Sequence, residues 1–174
     1  MDEISLKAKN TQLVIFDIDG VLTTGALFMD NQGEEYKAFN SKDGHGIRML
    51  IECGVDVAII TGRQSELVKH RMKDLGITTI YQGYRDKRPA FQELLKAKNI
   101  AAENIAYVGD DVIDLPVMTQ VGFSVAVADA HPFVIKHADY TTKARGGCAA
   151  GREIIELILE EKGLLEEKLN SYLS

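Results

Sequence analysis

Leu13-Val14-Ile15-Phe16-Asp17-Ile18-Asp19-Gly20-Val21-Leu22-Thr23 runs four apolar residues into two acids and a glycine. Such a run fits a strand buried on both faces whose carboxyl end opens onto solvent. Asp17 and Asp19 are two positions apart, so on an extended backbone both project to one side, where their charges repel unless a cation or proton intervenes. A divalent metal would resolve that repulsion. The plainer account is a strand followed by an acidic turn, since Asp and Gly both favour turns.

The pattern recurs. Val55-Asp56-Val57-Ala58-Ile59-Ile60 ends at Thr61-Gly62-Arg63, and Ile105-Ala106-Tyr107-Val108 ends at Gly109-Asp110-Asp111-Val112-Ile113-Asp114. Phe123 to Val127 reads as a further strand. Helices are expected between them, from Ile47 to Cys53 with Ser41 or Asp43 as cap, from Gln64 to Leu75, and from Ala90 to Lys98. Asp86-Lys87-Arg88-Pro89 introduces the last of these, which places Lys87 near a helix start, where amides and dipole favour an anion. Ile154 to Leu169 carries apolar residues at helical intervals. Within 24–40, Leu27-Phe28-Met29 and Glu35-Tyr36-Lys37-Ala38-Phe39 flank a polar turn and predict a β-hairpin. An isolated hairpin is marginal in water, so its apolar residues need the domain's body or another subunit.

Strand alternating with helix implies an α/β fold, a Rossmann-like mostly parallel sheet flanked by helices. Such sheets bind ligands beyond the carboxyl ends of their strands, where Asp17, Thr61 and Asp110 all fall. The 174 residues, 45% of them hydrophobic, suffice for one domain over 1–174, with 146–174 as a loop and helical tail. A net charge of -6 argues against nucleic-acid binding, which rests on Lys and Arg contacts to phosphate. Cys53 and Cys148 show no zinc-type spacing and fit reduced thiols. The start lacks the apolar core of a signal peptide and no apolar run reaches membrane-spanning length, so a soluble, cytoplasmic protein without membrane partners is expected.

Taken in order, Asp17-Ile18-Asp19-Gly20-Val21, the strand-ending Thr61, Lys87 before a helix and Gly109-Asp110-Asp111-x-x-Asp114 resemble the four motifs of the haloacid dehalogenase-like phosphatases. The resemblance spans residues 13 to 143. Ala38-Phe39-Asn40-x-x-Asp43-Gly44-x-Gly46-Ile47-Arg48, Ile59-Ile60-Thr61-Gly62-Arg63 and Ala126-Val127-Ala128-Asp129-Ala130-His131-Pro132 narrow it to a branch acting on an eight-carbon sugar acid 8-phosphate used for bacterial lipopolysaccharide. About forty residues separate the first motif from Thr61, which leaves no room for a large cap domain. The resemblance implies a homotetramer in which subunits complete each other's sites.

Phosphate esters resist attack because nucleophile and substrate are both anionic, so a metal and fixed donors must neutralise charge in the transition state. Asp17 suits the nucleophile and Asp19 an acid that protonates the departing alcohol and then activates water. Mg²⁺ prefers hard oxygen ligands, for which Asp17 and Asp110 are candidates; the family resemblance adds the backbone carbonyl of Asp19. Thr61 and Lys87 are candidates to hold the phosphoryl oxygens, with Asp111 and Asp114 behind them. Each has an ordinary alternative: Thr61 as a strand terminator, Lys87 as a solvated lysine, Asp110-Asp111 as a turn. An acidic sugar needs further cations, for which Arg48, Arg63 and Arg71 are candidates. The resemblance adds Asn40, Ser41, Lys42, Asp43 and Gly44 to the sugar contacts. In Gly146-Gly147-Cys148-Ala149-Ala150-Gly151-Arg152-Glu153, Cys148 and Ala149 stand where the family has arginine and glycine, which weakens a substrate role for that tail. The alternatives in function are a phosphatase for a nine-carbon sialic-acid-like 9-phosphate and a catalytically idle regulatory partner.

Overall fold

A computed structural model describes residues 2–173. In chain order the elements are α1 (Glu3–Asn10), β1 (Leu13–Phe16), β2 (Phe28–Met29), β3 (Glu35–Tyr36), α2 (Ser41–Glu52), β4 (Asp56–Thr61), α3 (Glu66–Asp74), β5 (Thr79–Gln82), α4 (Arg88–Lys98), β6 (Ile105–Gly109), α5 (Leu115–Met118), β7 (Phe123–Ala126), α6 (Pro132–His137), β8 (Tyr140–Thr141), α7 (Ala150–Glu161) and α8 (Leu165–Asn170). β2 and β3 form the antiparallel hairpin, Phe28 opposite Tyr36.

The main sheet has the order β5-β4-β1-β6-β7-β8, and every neighbouring pair is parallel. β1, β6 and β7 are buried along their whole length, as strands covered on both faces must be, and their residues are accordingly apolar with few exceptions. The chain winds outward from β1 through β4 to β5, then crosses back to β6 on the other side of β1 and winds out to β8. That reversal parts the connections leaving β1 and β6 and opens a crevice beyond their carboxyl ends. Asp17 follows β1 and Asp110 follows β6, so the crevice is where both acids emerge.

Three local differences from the sequence expectation have physical reasons. α2 begins at Ser41 rather than Ile47, because Asn40 caps it, its side chain accepting the Lys42 amide at 2.9 Å. The glycines that make this stretch read as a loop suit its packing: a Cβ on Gly44 would displace the flexible Arg71 guanidinium, 2.4 Å away, and one on Gly46 would lie 2.8 Å from Arg152 Cδ on α7. Asp43 does not cap α2 but sits buried within it, accepting the Arg152 amide at 2.8 Å at the start of α7. The first residues, unassigned from sequence, form α1, capped by Asp2, whose carboxylate accepts the Ser5 amide at 2.7 Å.

Candidate active site

Asp17 is the first residue beyond β1, and its amide still donates to the Val108 carbonyl of β6 at 3.1 Å, which fixes its backbone to the sheet. The chain then turns sharply through 18–22, closed by the Thr23 amide on the Ile18 carbonyl at 3.1 Å. Gly20 makes this turn possible in two ways. Its φ of 90° lies in the left-handed region, and a Cβ there would stand 2.0 Å from Asp110 Oδ2. Glycine therefore lets the carboxylates from the ends of β1 and β6 approach each other.

Lys87 ties the crevice together from below. It is fully buried at the head of α4, with its Nζ 3.0 Å from Asp17 Oδ2, 2.6 Å from Asp114 Oδ1 and 3.0 Å from the Tyr107 hydroxyl. Tyr107 in turn donates to Asp114 Oδ1 at 2.6 Å, while Asp114 Oδ2 accepts the amides of Asp110 at 2.9 Å and Asp111 at 3.1 Å. Gly109 admits this arrangement, since a Cβ there would lie 2.7 Å from Asp114 Cβ. A buried lysine is tolerated only when paired, and here two carboxylates and a phenol surround it.

The charges do not balance. Burial pushes the Asp17 carboxyl up to about 6, with Asp114 adding to the effect and Lys87 opposing it. Burial also pushes Asp110 up to about 8, reinforced by Asp114, Asp17 and Asp111, and Asp110 makes no salt bridge among the described residues. For Lys87, burial disfavours its charge, but Asp17 and Asp114 outweigh that and raise its pKa. One oxygen each from Asp17, Asp110 and Asp114 lie within 4.8 Å of one another, close enough to hold one cation. Both oxygens of Asp114 are already engaged by Lys87, Tyr107 and two amides, so Asp17 and Asp110 are the pair left in need of positive charge. Hard, anionic oxygens in a crevice suit a small divalent ion such as Mg²⁺.

Above the pair lies an open cleft of about 170 Å³, lined among others by Asp17, Asp19, Thr61, Arg63 and Asp110. Thr61, buried at the end of β4, stands at its side. At its mouth Asp19 meets the hairpin: Lys37 Nζ is 2.5 Å from Asp19 Oδ1 and 2.6 Å from Glu35 Oε1, and Arg63 donates to Glu35 Oε2 at 2.6 Å. The paired glycines of the tail pack on the turn at 18–22 from outside. A Cβ on Gly146 would lie 1.8 Å from the Gly20 carbonyl oxygen, and the Gly147 amide donates to the Val21 carbonyl at 2.8 Å.

The structure thus brings together Asp17, Asp19, Thr61, Arg63, Lys87 and Asp110, with Asp111 on the rim and Asp114 beneath. Asn40, Ser41, Lys42, Asp43, Gly44, Arg48 and Arg71 do not line this cleft. Asn40 donates to the Gly147 carbonyl at 3.2 Å, Arg48 donates to the Asp74 carbonyl at 2.7 Å, and Arg71 lies over the Phe39 ring at 6.0 Å. Ser41, Gly44, Arg48 and Arg71 border a separate depression. Three participants were not singled out from sequence: Tyr107, Glu35 and Lys37. A tyrosine in an otherwise aliphatic buried strand, and two opposite charges alternating around Tyr36, were the available signals.

Residues 79–146 match the model of the haloacid dehalogenase-like hydrolases. Over 165 residues the chain is 53% identical to 3-deoxy-D-manno-octulosonate 8-phosphate phosphatase of Escherichia coli, covering 95% of this chain and 88% of that protein. The crystal structure of the Yersinia pestis phosphatase of the same name superposes with a TM-score of 0.94 at 52% identity, covering 95% of this chain and 89% of that one. The Moraxella catarrhalis phosphatase, crystallised in complex with magnesium ion, phosphate ion and a KDO molecule, superposes with a TM-score of 0.96 at 38% identity, covering 99% of each chain. With its parallel sheet, paired strand-end aspartates and buried lysine, the chain belongs to the haloacid dehalogenase-like hydrolases, in the family of the 3-deoxy-D-manno-octulosonate 8-phosphate phosphatases.

Proposed function

We propose that this chain is a magnesium-dependent phosphomonoesterase that hydrolyses 3-deoxy-D-manno-octulosonate 8-phosphate to the free sugar acid and inorganic phosphate, in the supply of lipopolysaccharide precursors. The observation that carries the reading is the meeting of Asp17 with Asp110 and Lys87 at the crevice between β1 and β6. Asp17 attacks phosphorus and becomes an aspartyl-phosphate while the bond to the sugar oxygen breaks. Asp19 gives a proton to that oxygen, then takes one from the water that cleaves the acyl phosphate and restores Asp17. Lys87 holds Asp17 in place, and Thr61 offers its hydroxyl and amide to a phosphoryl oxygen. Asp17, Asp110 and the Asp19 backbone carbonyl would hold a magnesium ion, which would supply positive charge against the phosphoryl oxygens.

A cleft of about 170 Å³ is small beside the 300–1,000 Å³ of typical ligand pockets, so it takes the phosphoryl group and leaves most of the sugar outside. Arg63 stands where the sugar acid emerges. Arg48 and Arg71, off this cleft, and the exposed Ser41 and Lys42 serve the sugar from a neighbouring subunit, in a homotetramer assembled through the exposed Leu27, Phe28, Met29 and Tyr36 of the hairpin. No helix among the described residues is long and apolar enough to cross a membrane.

Phosphate release from a panel of sugar phosphates, including nine-carbon sugar acid 9-phosphates, tests the substrate. Magnesium-dependent release fastest from the eight-carbon acid, and absent in Asp17→Asn, is expected. Equal rates across the panel would overturn the substrate assignment, and unchanged release in Asp17→Asn the mechanism.

A further inference from the structure

Lys37 has a buried side chain although it lies just beyond β3, on a hairpin whose other residues are largely exposed. Its side chain is 2% exposed, while its neighbour Tyr36 is 59% exposed. Extended backbone alternates sides, so Glu35 and Lys37 turn toward the cleft as Tyr36 turns away. Lysine is rarely buried without a partner, and Lys37 has two: Asp19 Oδ1 at 2.5 Å and Glu35 Oε1 at 2.6 Å. The other Glu35 oxygen accepts from Arg63, whose Nε lies 3.9 Å from Asp19 Oδ2. Four charged side chains from the catalytic turn, the hairpin and the end of β4 therefore close a ring with no net charge.

We infer that Lys37 is the positioning residue for Asp19, clamping one oxygen of its carboxyl group so that the other faces the ester oxygen in the cleft; the inference rests on the role assigned to Asp19 above. A general acid works only within hydrogen-bond reach of the oxygen it protonates. Asp19 sits on a turn at an open mouth and needs such a support, because a side chain left to rotate spends little time in register. Glu35 offsets the charge of Lys37, so the clamp supplies a hydrogen bond and a fixed direction rather than a net field. In the step concerned, the Asp17 oxygen bonds to phosphorus, and the bond from phosphorus to the sugar oxygen breaks with its electron pair going to that oxygen. The proton moves from Asp19 to the sugar oxygen, and Lys37 keeps its own protons.

An alkyl alcohol leaves poorly unless protonated, whereas 4-nitrophenolate leaves readily as an anion. A clamp on the acid is therefore felt in proportion to the leaving group's need for a proton. The test is kcat/KM, a quantity limited by steps up to ester cleavage, for Lys37→Met and Lys37→Arg on three phosphates: the eight-carbon sugar acid 8-phosphate, glucose 6-phosphate and 4-nitrophenyl phosphate. In Lys37→Met the ratio of alkyl to aryl kcat/KM should fall by about tenfold or more, a fraction of what a general acid contributes. Lys37→Arg, which keeps a donor, should recover part of that ratio. Equal loss on alkyl and aryl substrates would overturn the inference, as a structural role alone predicts it. Should Lys37→Met fail to fold, Glu35→Gln loosens the same clamp, and its alkyl-to-aryl ratio must fall as well or the inference is wrong. A wild-type enzyme that hydrolyses glucose 6-phosphate but not the sugar acid phosphate would refute the substrate assignment alone, and the clamp would then be judged on glucose 6-phosphate.

Discussion

Replacing Lys87 by methionine removes the cation buried beneath the crevice while nearly keeping the side chain's length. Lys87 and Asp114 are fully buried as side chains and Asp17 is 6% exposed, so this is the regime of interior ion pairs rather than surface ones. Surface pairs are worth about 0–1 kcal/mol, whereas breaking a buried pair by removing one partner costs about 3–5 kcal/mol, because the remaining charge is stranded. Here two carboxylates are stranded. Asp114 retains Tyr107 and two amides, and Asp17 retains the Ile18 amide at 2.7 Å, so the loss stays within that range rather than doubling it. Against a total stability of about 5–15 kcal/mol the variant folds but is weakened. Urea unfolding at neutral pH without added metal measures the difference, and phosphate release should drop about 10²-fold or more as transition-state charge loses its partner. A stability loss under about 1 kcal/mol would refute the reasoning, since Lys87 would then behave as a solvated lysine.

Gly20→Ala forces a Cβ into the space of Asp110 Oδ2 at a φ of 90°, so magnesium-dependent phosphate release should be abolished; activity and calorimetric magnesium affinity near wild type would contradict the close approach of the two acids. Asp17 and Asp110 have folded-state pKa values raised from 3.8 to about 6 and about 8, so the metal-free folded chain holds protons that the unfolded chain has released, and its stability falls as pH rises through that window. Magnesium binds the deprotonated acids, and the gain in melting temperature it gives should be larger at about pH 8 than at about pH 5; a pH-independent gain would place the ion elsewhere. Tyr107→Phe deletes the hydroxyl between Lys87 and Asp114 and should cost about 1–3 kcal/mol by denaturant unfolding, and no change would mean the bridge carries no stability. Ala149 has a φ of 74° at the start of α7, a position where glycine is at ease, so Ala149→Gly should stabilise by up to about 1 kcal/mol; a lower melting temperature would contradict strain there.

Much of the fold was legible because β1, β4 and β6 are apolar runs that stop at polar residues, the mark of strands buried on both faces. The order of those strands is not written in periodicity, yet the alternation with helices restricts it enough to expect Asp17 and Asp110 near one another. In the sequence α2 reads short because Gly44 and Gly46 are poor helix formers; their presence answers to Arg71 and Arg152, which pack against them from remote positions. Tyr107 looked like core because it is core, and only its hydroxyl belongs to the site. Lys37 and Glu35 looked like ordinary surface charges on a hairpin, since the surface that buries them comes from the turn at Asp19 and from Arg63.

The most direct measurement is an anomalous-scattering map of crystals grown with Mn²⁺ in place of magnesium. A single peak within coordinating distance of one oxygen each of Asp17 and Asp110, with Asp114 still bonded to Lys87, is the expected result. A peak held by Asp114 with Lys87 displaced, or no peak between the ends of β1 and β6, would contradict the account.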